Sequence, residues 1–169
     1  YVGTGFKRKG LDTLVKSVGT LENNERVKIL VVGSGNREEY ERLAIECGIG
    51  GQIVWAGQSS DVAHQYAASD VFVLPTRYDP FANSTMEALA AGVPVITTNK
   101  NGVSEILEDG RNGFVFSAGD HLGLGSRLAS VLSDPVLAAR IGSAGRETVC
   151  SMTWQRTAEE TVCVYESLP

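Results

Sequence analysis

The sequence predicts an α/β fold: one domain with a Rossmann-like, doubly wound parallel sheet and helices on both faces. Three observations predict it. Short apolar runs of strand length alternate with longer amphipathic stretches along nearly the whole chain. The connections are short, which favours right-handed β-α-β crossovers between parallel strands. Glycine or proline closes the apolar runs, as at Gly33 after Val32, Gly57 after Ala56 and Pro75 after Leu74.

In order, Tyr1–Gly3 reads as the end of a strand. Lys9 to Leu21 puts Leu11, Leu14, Val15, Val18 and Leu21 on one helical stripe. Val27 to Val32 is a continuous apolar run of the kind buried on both faces of a parallel sheet. Arg37 to Cys47 predicts a charged helix with Tyr40, Leu43 and Ala44 inward. Gln52–Ala56 is a short strand, and Ser59 or Ser60 is placed to cap a helix ending near Ala67. Strand Val71–Leu74, helix Ser84–Ala91 and strand Val93–Thr98 follow. A short helix near Ser104–Leu107 and strand Gly113–Phe116 come next. Three helices, Asp120–Leu132, Pro135–Val149 and Thr153–Ser167, complete the pattern.

The 169 residues suffice for one domain with a real core. Hydrophobic residues make up 43 %, as in ordinary globular proteins. A net charge of −5 argues against nucleic-acid binding by bulk electrostatics, and no nucleic-acid partner is expected. Cys47, Cys150 and Cys163 have no metal-ligand spacing, and their odd number and apolar settings predict reduced, buried thiols in a cytosolic setting. No run of about 18 apolar residues predicts a membrane span, and no signal-peptide pattern is present. The start at a strand end, without an initiator Met, gives the expectation of a domain cut from a longer protein whose missing part lies upstream.

In doubly wound sheets, ligands bind beyond the carboxyl ends of the strands. The loops of interest are therefore Thr4–Lys9, Gly33–Asn36, Gly57–Ser60, Thr76–Asn83 and Asn99–Val103, and four segments among them hold candidate chemistry. Gly3-Thr4-Gly5-Phe6-Lys7-Arg8-Lys9-Gly10 places three cations beside glycines and suits a diphosphate; the same cluster also reads as a solvated surface. Gly33-Ser34-Gly35 follows a buried run but fails the dinucleotide fingerprint, because Glu38 stands where the third glycine belongs. It is either a bed for a nucleoside or a tight strand-to-helix turn.

The third segment sets Asp79 and Glu87 eight positions apart across a loop and a helix start. The amides of Phe81, Ala82, Asn83, Ser84 and Thr85 stand at that start, a natural anion site. Glu87 is expected in the first helical turn, where the helix dipole also favours it without any ligand. The fourth, Lys100 to Glu105, either closes a sugar pocket from the side or is a turn capped by Ser104. His64 and His121 lack metal-ligand partners and read as structural or surface residues, and no metal site is expected. Trp55 and Trp154 read as packing residues, although Trp55 also ends a strand beside the nucleoside loop.

Taken together, these segments resemble the C-terminal, donor-binding domain of the retaining GT-B glycosyltransferases, the glycosyl transferases group 1 family. The resemblance runs from Val2-Gly3 through Lys9-Gly10 and on through Val31–Gly35, Val54–Gly57, Ala68–Pro75, Glu87–Val95, Asn101–Ile106, Asp109–Val115 and Trp154–Leu168. Phe6–Gly10, Tyr78–Phe81 and Asn83 look most like the branch that builds lipopolysaccharide core, in which a UDP-glucose-dependent glucosyltransferase is best known.

The resemblance implies one half of a GT-B fold, with residues 1–169 as the donor domain and an acceptor-binding N-terminal domain elsewhere. Lys9 matches the lysine that binds the donor diphosphate, with Arg8 as a second cation. Glu87 matches the glutamate that holds the ribose, and Asp79 the acid that lies against the transferred sugar. Gly33, Gly35 and Trp55 are assigned to the nucleotide side. Phe81 to Thr85 face the sugar and phosphate. The chain departs from the family pattern in carrying Asp79 for Glu, Thr4 for Arg, and Pro80 and Ala82 for glycines.

The implied reaction transfers a hexosyl unit from a UDP-sugar to a glycan or lipopolysaccharide-core hydroxyl, with retention and without a metal. The implied partners are the UDP-sugar and a glycan or lipid-linked acceptor held by the other domain. The implied setting is cytoplasmic, with peripheral association of the full-length protein at the inner face of the membrane. The chain alone is expected to bind donor without transferring it. Rival readings are a nucleotide-binding regulatory or pseudo-transferase module, and a UDP-sugar epimerase-like domain.

Overall fold

The computed structural model describes residues 1–168, and among them five strands and seven α-helices alternate. β1 (Ile29–Val32) pairs in parallel with β2 (Ile53–Gly57). β3 (Phe72–Leu74), β4 (Val95–Thr98) and β5 (Phe114–Phe116) form a second parallel ladder in that order. The predicted parallel α/β architecture with helices on both sides therefore holds. The ladder itself is hydrogen-bonded in two pieces rather than one. Val2 bridges to Val32, laying Tyr1–Gly3 along the free edge of β1.

The two pieces meet at their carboxyl ends. Arg77 N donates to Arg8 O at 2.9 Å, and Thr76 Oγ1 donates to the same carbonyl at 3.2 Å. Gly10 lies so close to the Pro75 carbonyl that a Cβ would overlap it. Two loops far apart in sequence are thereby fused.

β3 and β4 are buried along their whole length, as strands covered on both faces must be. β2 alternates between half-buried and exposed, because successive side chains point to opposite faces and only one face is covered. Leu11, Val15 and Val18 of α1 (Leu11–Gly19) and Leu89 of α4 (Asn83–Ala90) reach the same core as Val31, Phe72, Leu74 and Ile96. α1 packs against α2 (Arg37–Glu46) and α5 (His121–Ser133); α4 packs against α6 (Pro135–Val149). No described helix is long and apolar enough to cross a membrane.

Several boundaries differ from expectation for local reasons. α1 begins at Leu11 rather than Lys9, since Gly10 adopts a left-handed φ of 73°. β1 starts at Ile29 after a 3₁₀ turn, Asn24–Arg26. Ser59 accepts from Asp61 N at 3.1 Å in a local turn, so α3 (Ala63–Ala67) starts later and has no side-chain cap. α7 (Trp154–Glu166) has no buried residue, which leaves Trp154 86 % exposed rather than packed in a core. Cys150 and Cys163 are exposed and Cys47 is half-buried, against the expectation of buried thiols.

Candidate functional site

Three strand-end loops converge. Gly3 N donates to Val32 O, Gly33 N to Gly57 O at 2.7 Å, and Gly5 N to Ser34 O. Gly33 has a φ of +133°, and a Cβ there would overlap the Gly3 carbonyl. A Cβ on Gly35 would strike the Phe6 ring. Backbone and ring packing thus require glycine at both positions of this turn. Phe6 is buried, stacks on Trp55 at 5.7 Å between ring centres, and meets Tyr40 edge-on. The Arg37 guanidinium lies 5.7 Å from the Trp55 ring centre. Trp55 is therefore engaged in packing. A cavity of about 500 Å³ opens beside Lys7, Arg8, Asn36 and Arg77.

The cationic loop folds onto the acidic one. Lys9 N donates to Gly5 O, a tight turn that places the lysine stem beside Gly3. Lys9 Nζ then reaches Asp79 Oδ2 at 2.5 Å, with both side chains almost entirely buried. Arg8, half exposed, donates to the same oxygen at 3.3 Å and to Tyr78 O at 3.0 Å. Lys9, Arg8 and Asp79, about 70 positions apart in sequence, are brought to one point. Lys7 stays exposed. Arg77, absent from the sequence assignment, ties Lys7 O to Asp12 and braces the same loop. Its only sequence signal was a basic residue in a strand-end loop.

α4 supplies the other wall. Ala82 is extended (φ −76°, ψ 107°), and its carbonyl accepts from Thr85 N and Met86 N. The helix therefore starts at Asn83, which places Glu87 in the second turn rather than the first. Glu87 is exposed, and its Oε2 accepts from the Tyr66 hydroxyl at 2.9 Å. That hydroxyl also lies 3.0 Å from Ser84 O. Burial, reinforced by Glu87, pushes the Tyr66 phenol above its ordinary pKa. Tyr66 gave no sequence signal, since its partners lie 18 and 21 positions away.

Two of the five expected amides are occupied: Ala82 N by Asn101 Oδ1 at 3.3 Å, and Thr85 N by Ala82 O. Those of Phe81, Asn83 and Ser84 have no hydrogen-bond partner among the described residues. An anion lying there would meet three open N–H groups at a helix start.

The Lys100–Glu105 loop flanks this wall. Asp79 N donates to Lys100 O, and Gly102 N donates to Asp79 O, both at 2.9 Å. Its 3₁₀ turn, Gly102–Ile106, is capped by Asn101 rather than the expected Ser104. Among the described residues, no group of three His, Cys, Asp or Glu side chains is arranged to hold a metal. His64 pairs with Asp61 at 2.6 Å on the exposed approach to α3, and His121 opens α5. A larger cavity, about 1460 Å³, lies at the amino ends of β1 and β3 and is lined by none of these residues.

Comparisons with known proteins give the family and the fold. The profile of the family described as glycosyl transferases group 1 matches residues 1–148. A lipopolysaccharide core biosynthesis glycosyltransferase, LpsE of Rhizobium meliloti, is 32 % identical over 149 residues, covering 88 % of this chain and 43 % of that protein. A phosphatidyl-myo-inositol mannosyltransferase of Mycobacterium leprae is 32 % identical over 95 % of this chain and 44 % of that protein. The sucrose-phosphate synthase structure from Thermosynechococcus elongatus superposes with a TM-score of 0.82 at 29 % identity, over 95 % of this chain and 42 % of that one. The Anabaena protein HepE in complex with UDP shares the fold, with a TM-score of 0.88 at 21 % identity over 99 % of this chain and 48 % of that one. The chain spans less than half the length of these relatives. With the family profile matching from Tyr1 to Thr148, the chain belongs to the glycosyl transferases group 1 family.

Proposed function

We propose that this chain is the donor-binding part of a retaining glycosyltransferase. The whole enzyme moves a hexosyl unit from a UDP-sugar, glucose or a similar hexose, to a hydroxyl of a glycan or lipopolysaccharide-core acceptor. The supporting observation is the meeting of Lys9 and Arg8 with Asp79 beside the open amides of Phe81, Asn83 and Ser84. HepE, with the same fold, has also been crystallised with UDP-glucose.

The roles follow from charge. As the bond from the sugar to the β-phosphate breaks, negative charge grows on the diphosphate. Lys9, Arg8 and the α4 amides stabilise it, so the step proceeds without a metal. Asp79 accepts hydrogen bonds from sugar hydroxyls and orients the ring, while the acceptor attacks from the leaving-group face. Glu87 accepts from the ribose hydroxyls. The acceptor site and any base lie in the rest of the protein, which works at the cytoplasmic face of the inner membrane.

Calorimetry and ligand-observed NMR with UDP-, GDP- and ADP-glucose test this reading. Binding of UDP-glucose above the other two is the expected result. Preference for GDP or ADP overturns the donor base, and no binding of any nucleotide overturns the donor site.

A further inference from the structure

We propose that Asn101 is a positioning residue for the sugar–phosphate end of the site, a role that rests on the donor-binding reading above. Its side chain is 1 % exposed, and both ends are fully engaged. Oδ1 accepts from Ala82 N and Val103 N, each at 3.3 Å. Nδ2 donates to Thr85 Oγ1 and Thr97 Oγ1, each at 3.0 Å. One amide thus ties together the acid loop, the first turn of α4, the end of β4 and the following 3₁₀ turn.

The chemistry selects asparagine. Ala82 N and Val103 N only donate, so an oxygen must face them. Thr97 Oγ1 gives its proton to Leu74 O at 2.9 Å, so it must accept from position 101. Aspartate satisfies the first pair and sets an acceptor against the acceptor Thr97. Serine and alanine are too short to span the gap. A 3₁₀ cap needs only the bond to Val103 N; the other three bonds go to the wall of the site.

The consequence falls on the open amides. Holding Ala82 N inward fixes the peptide units on either side, from which the Phe81 and Asn83 amides project. The adjoining backbone makes the same connection: Asp79 N to Lys100 O and Gly102 N to Asp79 O. A Cβ on Gly102 would overlap the Pro80 carbonyl, so the two loops lie in direct contact. Asn101 therefore sets the three donors and the Asp79 backbone in one fixed relation before any ligand arrives, which is what electrostatic preorganisation requires.

Asn101→Ala and Asn101→Asp, compared with Asn112→Ala, provide the test. Asn112 is also buried and hydrogen-bonded to Glu108 N, Ile106 O and Thr148 Oγ1, away from the site. UDP is titrated by calorimetry at a temperature where circular dichroism shows all variants folded. Amide shifts of Phe81, Asn83 and Ser84 are followed by NMR. Asn101→Ala is expected to weaken UDP binding about tenfold and to abolish the UDP-induced shifts of those amides. Asn101→Asp is expected to fall between it and the wild type. Asn112→Ala is expected to lose thermal stability and keep wild-type affinity. Unchanged affinity and shifts in folded Asn101→Ala overturn the positioning role, as does an equal loss in Asn112→Ala. Failure of the wild type to bind any nucleotide overturns the donor reading and the inference with it.

Discussion

Lys9 Nζ sits 2.5 Å from Asp79 Oδ2, and Arg8 shares that oxygen. The group proposed for the diphosphate is thus paired with the group proposed for the sugar. Lys9 keeps two further N–H donors that can turn to a diphosphate, and Asp79 keeps Oδ1 for hydroxyl donors. Asp79→Asn is expected to keep UDP binding and to lose the extra affinity that a sugar confers. Removing one partner of a buried pair also destabilises, here by about 3 kcal/mol. Denaturant melts with and without UDP, set beside UDP and UDP-glucose titrations, check both parts. Loss of UDP binding in the folded variant would contradict the division of roles.

Glu87 should matter to the nucleotide rather than to the sugar. It stands one turn into α4, exposed and oriented by Tyr66. Glu87→Ala is expected to weaken UDP binding by about tenfold or more, as loss of a charged acceptor for two hydroxyls implies. The loss should exceed that of Asp79→Asn. Calorimetry with UDP decides, and the reverse order reassigns the two acids.

Tyr66 has a pH signature. Burial and Glu87 hold its phenol protonated above the ordinary value of 10.0. The unfolded chain loses that proton near pH 10 and the folded chain only at higher pH. The stabilisation is complete below pH 10 and declines as pH rises beyond it. Tyr66→Phe is expected to cost about 1 kcal/mol at neutral pH and to flatten part of the alkaline decline. Tyr40, pushed up to about 12 by burial, retains another part. Urea midpoints between pH 8 and 11 measure both effects. An unchanged alkaline slope in Tyr66→Phe would remove Tyr66 from this account.

What could be read from the sequence was local. Asp120, Asp134 and Thr153 cap the three final helices within three residues of their partners, so those boundaries were visible as side-chain chemistry. The buried runs of β3 and β4 were visible for the same reason. Lys9, Arg8, Asp79 and Glu87 stood out by spacing and by resemblance, but the ion pair did not, because about 70 residues separate its partners. Tyr66 looked ordinary, and Asn101 stood out only as a member of the Lys100–Glu105 loop. Their roles depend on hydrogen bonds that span 16 to 21 residues and exist only once the loops are assembled. The left-handed Gly10 shortened α1 without a local competitor to announce it.

Gly33 links packing to the site, and its substitution separates two kinds of glycine. Gly33→Ala adds a Cβ that overlaps the Gly3 carbonyl, at a φ of +133° that side chains rarely adopt. The strand-end loop must move, and with it the backbone on which the Lys9 stem rests. A cost of about 3 kcal/mol is expected, together with weaker UDP binding in the protein that remains folded. Gly5 has a φ of +70° but open space around its Cβ position. Gly5→Ala should therefore cost only the left-handed conformation, about 1 kcal/mol. Thermal melts of the two variants, followed by UDP titration, check the contrast. Equal losses at the two positions would mean that the contact between Gly33 and Gly3 does not fix the loop.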